Sequence, residues 1–231
     1  MDSRRSIRAV VRCLLGGLAV VLLPGPFVAV ARASAGGTTS DHFLGQLNAL
    51  CGRAFEGTVV ADEPPPAAGS AFVGQRLVIH VRDCAGGEVA IPLHVGDDRS
   101  RTWVVRRTAS GLHLTHQHRH ADGTFDRVTG YGGDAVDRPR TTTGGAAGDL
   151  LFEFPADEAT RALFEREKLT ASRENVWILS LGRQADPARR LVYELRRPGR
   201  HFRIEFDLTQ PVPLPPGAWG FAPGPAEAPA D

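Results

Sequence analysis

The sequence lacks the short motifs that mark the common enzyme chemistries. It holds no Gly-x-Ser-x-Gly, no His-Glu-x-x-His, no P-loop and no Gly-x-Gly-x-x-Gly dinucleotide fingerprint. Serine and aspartate are present, but no spacing sets either beside a histidine as a catalytic triad needs. Cysteine is scarce, three in 231 residues. None forms a Cys-x-x-Cys pair, the mark of a thioredoxin-like redox site. An excess of one charge is also missing, since 27 basic residues face 26 acidic ones. That balance argues against nucleic acid or an anionic membrane as a partner.

The N-terminus reads as an export signal. Arg4, Arg5, Arg8 and Arg12 form a basic region, and an apolar run follows from Cys13 to Val30. Ala31-Arg-Ala33 and Ala33-Ser-Ala35 both fit the small-x-small cleavage rule, so the predicted cut follows Ala33 or Ala35. The run is long enough to span a bilayer uncleaved, but Pro24, Pro26 and the two cleavage sites weigh against an anchor. Cys13 lies too early to be a lipoprotein cysteine. Ser3–Arg8 is similar to a twin-arginine signal, with Ile7 where that signal has Phe. An ordinary basic region fits the same residues better. A periplasmic or secreted location follows, with no stable membrane insertion after cleavage.

Removing residues 1–33 takes away five arginines and one aspartate. It leaves 22 basic and 25 acidic residues, a net charge of −3. The remaining 198 residues suit one domain with a substantial core. Cys51 and Cys84 are then the only cysteines, and in an oxidising compartment they are expected to pair. A disulfide closing that loop stabilises by about 3–4 kcal/mol in the chain-entropy model. A thiol metal or redox site is the alternative.

Periodicity predicts a mainly β protein. A short helix comes first, capped by Ser40 or Asp41, with Phe43, Leu44, Leu47 and Leu50 as its stripe and Gly52 as its stop. Strands are expected at 54–61, 76–83, 88–95, 101–109, 112–120, 124–131, 149–154, 175–182, 189–197 and 200–208. A loop fills 132–148, and a second helix, capped by Asp157, covers 157–168 before the last three strands. The domain spans 34–210, and the proline-rich tail, 211–231, is expected to be extended and largely disordered. About ten short strands on tight turns fit an antiparallel up-and-down barrel or a sandwich. The barrel is preferred because closure removes open edges. A Pro198-Gly199 turn places Glu194 opposite Arg203, and Leu195, Tyr193 and Leu191 opposite Phe202, Ile204 and Phe206. One face is then apolar and the other carries opposite charges.

The segment Leu112–Gly123 holds four of the eight histidines. On a strand, His116, His118 and His120 point to one face. With turns at Ser110-Gly111 and Asp122-Gly123, His116 faces Val105 and Thr129, and His118 faces Trp103 and Arg127. His120 then faces Phe125, Leu114 faces Tyr131, and Arg119 pairs with Asp126. Trp103, His116, His118, His120, Arg127 and Tyr131 become candidate ligand-binding residues on an inward, largely apolar wall. His116 and His118, roughly 7 Å apart along a strand, could share a metal such as Zn, whereas His116 and His120 lie too far apart. His80, His94, Asp122, Asp134 and Asp137 are possible further ligands. An adjacent Arg127 argues instead for an anionic or polar ligand and no cofactor. Arg99 and Arg101, in the charged turn Asp97–Arg101, could also bind an anion at the mouth. The basic hairpin tip Arg196–Arg203 reads as a solvated turn.

Cys51–Gly57, His94–Trp103, His118–Gly123 with Tyr131-Gly-Gly133, and Leu195–Arg203 resemble a family of uncharacterised secreted bacterial proteins. That resemblance implies no activity. The architecture also resembles lipocalin-like barrels, without their Gly-x-Trp near the first strand, which implies a fold and no function. The expected function is binding of a small polar or anionic molecule by an exported barrel. A metal-dependent hydrolase using His116 and His118 is one alternative, and an envelope interaction protein without a pocket is another. Oligomeric state is not legible.

Overall fold

In the computed structural model, which describes residues 38–66, 69–136, 150–182 and 186–221, the expected barrel is present. Its ten strands are β1 (Arg53–Glu63), β2 (Leu77–Ala85), β3 (Glu88–Val95), β4 (Asp98–Thr108), β5 (Gly111–His118), β6 (Tyr131–Asp134), β7 (Leu150–Pro155), β8 (Val176–Leu181), β9 (Arg190–Arg197) and β10 (Arg200–Val212). They form one antiparallel sheet in the order β6-β5-β4-β3-β2-β1-β10-β9-β8-β7. β1 pairs with β10 at the middle of the order, and the sheet curls until its end strands, β6 and β7, come together and nearly close the barrel. The expected signal, residues 1–33, and its cleavage sites lie outside the described residues. So do Asp137 and the rest of the 132–148 loop beyond Val136.

Two glycines close the seam. Val136 N–H donates to Glu153 O at 2.9 Å and Asp157 N–H to Gly132 O at 3.0 Å. The Thr160 hydroxyl donates to Gly132 O at 2.9 Å and accepts from Gly132 N–H at 2.8 Å. A Cβ at Gly133 would lie 1.9 Å from Pro155 O, and one at Gly132 1.8 Å from Leu114 O. Only glycine lets the backbones approach this closely.

The first helix, α1 (Thr39–Asn48), plugs one end of the barrel. Its cap is Thr38 rather than Ser40 or Asp41. The Thr38 side chain accepts from Asp41 N–H, and the Asp41 carboxylate accepts from Thr38 N–H. That reciprocal box needs the cap three residues ahead of the acid. Phe43, Leu44 and Leu47 are buried beneath it, with Phe43 edge-on to Phe152 at 4.9 Å. Arg107 ties the helix to β4 through Asp41 at 2.7 Å. Cys51 and Cys84 form the expected disulfide, with Cα atoms 6.2 Å apart, joining the chain after α1 to β2.

The opposite end is the mouth. Over it lie α2 (Glu158–Arg166), capped by Asp157 as expected, a 3-10 turn at Thr170–Glu174, and Phe72, packed on Phe202 at 4.8 Å. β10 continues through Pro211 and Val212, beyond the expected end of the domain. The proline-rich chain then lies on the outer wall as far as Phe221. Arg99 Nη1 donates to Gly217 O and Trp219 N–H donates to Arg99 O, both at 3.1 Å, while Ala218 is buried. Residues 222–231 of the expected tail lie outside the described residues.

The β9–β10 register is the one expected, with Glu194 opposite Arg203 and Tyr193 opposite Ile204. Two other expectations are corrected. The β4–β5 turn is Ala109-Ser110, so Trp103 pairs with His116 and Arg101 with His118. A two-residue slip preserves which face each side chain takes. The strand expected at 124–131 is absent, apart from a single Arg119–Phe125 bridge. Asp122 accepts from Thr124 N–H and Asp126 accepts from Val128 N–H, so side chains draw this backbone off the ladder. Asp126 N–H and Gly130 N–H still donate to His118 O and His116 O, and the regular ladder with β5 resumes at Tyr131, opposite His116.

Candidate functional site

The alternation of β5 sends Leu112, Leu114 and His116 into the barrel and His113 and Thr115 outward. Below His116 the interior is filled by large apolar side chains. At His116 the filling turns polar. Its ring is 3 % exposed and stacks on Tyr131, with centroids 4.8 Å apart. Nδ1 lies 3.3 Å from Tyr131 O and Nε2 lies 2.9 Å from the Tyr193 hydroxyl. A carbonyl only accepts, so Nδ1 carries the proton and Nε2 accepts from Tyr193 O–H. Tyr193 in turn stacks on Trp103 at 4.2 Å.

One pleat further toward the mouth, His118 Nε2 lies 2.9 Å from the Tyr131 hydroxyl. The Thr129 hydroxyl accepts from His118 N–H at 2.8 Å. Arg101 is the cross-strand neighbour of His118. Its guanidinium lies 5.3 Å over the Phe72 ring and is ion-paired to Asp98.

The electrostatics follow from burial. Desolvation, with some repulsion from His118, lowers the pKa of His116 to about 3. Desolvation and then the Arg101 charge lower that of His118 to about 4, against Asp126 and Asp98. Burial pushes both the Tyr131 and Tyr193 phenols well above their ordinary value. At neutral pH the layer is therefore two neutral imidazoles and two protonated phenols, with Arg101 and its Asp98 partner at its edge.

Of the candidate residues, Trp103, His116, His118 and Tyr131 come together. His120 and Arg127 do not. The His120 side chain is exposed, 3.7 Å from Asp126. Arg127 is 83 % exposed and pairs with Glu167, because the loop carrying it has left the ladder. The pair expected between His118 and Arg127 is thus replaced by His118 and Arg101. Arg119 turns to Gly123 O and the Phe125 ring rather than to Asp126. Tyr193 and Trp177 join the site from the far wall. The Tyr193 hydroxyl on an apolar face was the available signal for the first.

A metal finds no ready ligand set. Both His116 nitrogens and His118 Nε2 already meet oxygen partners, and Asp134 is turned outward onto His113 at 2.8 Å. Among the described residues, no group of three or more His, Cys, Asp or Glu side chains is placed to hold an ion.

Two cavities flank this layer. One, of about 80 Å³, is walled by Arg101, Gln117, His118, Trp103 and Leu93. The other, of about 250 Å³, is walled by Phe164, Leu169, Trp177, Leu195 and Val128. Phe72, Tyr131, Tyr193 and Phe202 border both. A larger groove, about 830 Å³, lies outside the barrel between Arg76, Arg99 and the chain Pro213–Pro216. The aromatic and hydroxyl groups do not converge on it, so the mouth is the better candidate site. No helix among the described residues is long and apolar enough to cross a membrane.

Searches against protein-family models, curated proteins and solved structures find no match. The resemblance to a secreted bacterial family therefore gains no support, and the lipocalin-like comparison rests on the barrel alone.

Proposed function

We propose that the protein binds a small polar or anionic molecule at the barrel mouth. The observation that carries this reading is the layer of neutral His116 and His118, hydroxyl-bearing Tyr131 and Tyr193, and Arg101 beside two cavities. Together the cavities reach the lower end, roughly 300 Å³, of small-molecule pockets. The binding groups of this reading are Trp103, His116, His118, Tyr131, Tyr193 and Arg101, without His120 and Arg127.

Export to the periplasm or beyond accompanies the proposal, supported by the disulfide and by the N-terminal pattern. The filled interior below His116 favours a second reading, an interaction protein that uses its outer surface. A native mass spectrum of untagged protein purified from its own host separates the two. The binding reading expects a bound small molecule that is lost from the Arg101→Leu/His118→Leu variant. A ligand retained by that folded double variant contradicts the placement, and a wholly empty wild-type protein favours the surface reading.

A further inference from the structure

Polarity is divided across the mouth, and the division points to a class of ligand. This inference rests on the mouth being the binding site. The smaller cavity carries the Arg101 guanidinium, with its Asp98 partner, and the His118 imidazole. The walls of the larger one are mainly Val128, Phe164, Leu169, Trp177 and Leu195. Its polar members are already engaged. Ser172 Oγ and Asn175 Oδ1 accept from Arg197 at 3.2 and 3.0 Å, and Arg200 is paired with Asp62. One side is therefore the more polar and the other mainly apolar, with four aromatic rings as their common border.

Arg101 has donors to spare. Among the described residues, both of its side-chain hydrogen bonds run from Nη1, to Asp98 and Ser100. Nε and Nη2 remain, on a side chain 22 % exposed whose plane lies over Phe72. A planar carboxylate matches two N–H groups of a guanidinium fork. Among the described residues Arg101, itself paired with Asp98, is the one arginine lining the smaller cavity, and Asp98 and Asp126 both act on its surroundings. A dianion such as phosphate would meet that negative charge with one arginine to offset it. A sugar would need many more donors and acceptors than these walls offer.

We propose that the ligand is an amphipathic organic monoanion, with its carboxylate on Arg101 beside His118 and its apolar body across the Phe72–Phe202 border in the larger cavity. At roughly 30 Å³ per water-sized group, that cavity holds a body of about eight non-hydrogen atoms. The groups facing His118 are Arg101 and Asp98 from β4, Asp126 from the loop after β5, Tyr131 from β6, and His116 below it. A carboxylate added to this set favours the imidazolium, so binding takes up protons and strengthens as pH falls toward 5.

Isothermal titration with matched probes tests the proposal: 3-phenylpropanoate and octanoate against 3-phenylpropanamide and octanamide. The wild-type protein should bind each acid about tenfold or more tightly than its amide. The preference should grow at lower pH, with proton uptake read from the buffer dependence of the heat. Arg101→Gln should cost the acids about tenfold and leave the amides within about twofold. Acid and amide binding equally, with both lost in Trp177→Ala, would overturn the monoanion and leave the mouth site standing. No binding of any probe, or binding indifferent to both Arg101→Gln and Trp177→Ala, would overturn site and ligand class together. The acid-to-amide ratio in the wild type decides the charge question even if a variant does not fold.

Discussion

At the scale of residues, His116 and His118 are held neutral by a layer that desolvates them and meets their nitrogens with phenols. Both have pKa values far below the ordinary 6.5, at about 3 and about 4. The unfolded chain therefore takes up the protons that the folded one refuses, and stability falls as pH drops below 6.5. Each histidine should remove about 1.4 kcal/mol per pH unit between roughly pH 6 and its folded pKa. Urea unfolding at pH 7, 6, 5 and 4.5 should show this slope, and His118→Gln should remove about half of it. A flat profile over that window would mean that the imidazoles are solvated or charged in the fold. The histidine face was legible from alternation alone. Their partners were not: Tyr193 comes from a strand 77 residues away, and Arg101 required the β4–β5 turn to be placed correctly.

Among the elements, the hairpin of β9 and β10 was legible to the residue because its turn and both faces agreed. Pro198-Gly199 fixed the turn, and only one register paired Glu194 with Arg203 while keeping Tyr193 and Ile204 inside. The 119–130 segment was not legible. Its alternation suits a strand, but Asp122 and Asp126 offer the backbone a closer partner than β5 does. That departure carries Arg127 outward and brings Tyr131 opposite His116, and so decides which cation reaches the site. The seam between β6 and β7 depends equally on local chemistry. Gly133→Ala should cost about 1–3 kcal/mol or more in urea unfolding, since its Cβ would meet the Pro155 carbonyl at 1.9 Å. Gly45→Ala on α1, where a Cβ meets nothing within 4 Å, should be neutral or stabilising. Equal effects from the two substitutions would show that the seam is not closely packed.

For the whole molecule, the barrel is a filled cylinder with one plugged end and one working end. α1, Phe43 and the Cys51–Cys84 bond close the first. The second keeps its polar layer and both cavities under a cover of loops, α2 and the 3-10 turn. Strand count and topology were legible from turn spacing, while the packed run of residues 213–221 on the outer wall was not, because proline content alone reads as disorder. The central claim is that ligands enter at the mouth rather than along the outer groove, and an NMR titration with 3-phenylpropanoate tests it most directly. The account predicts shifts at the His118 and Tyr131 rings and at the Trp177 indole, with the Trp219 indole on the outer wall unmoved. Shifts gathered on Arg76, Arg99 and Leu214, with the mouth signals unchanged, would contradict it.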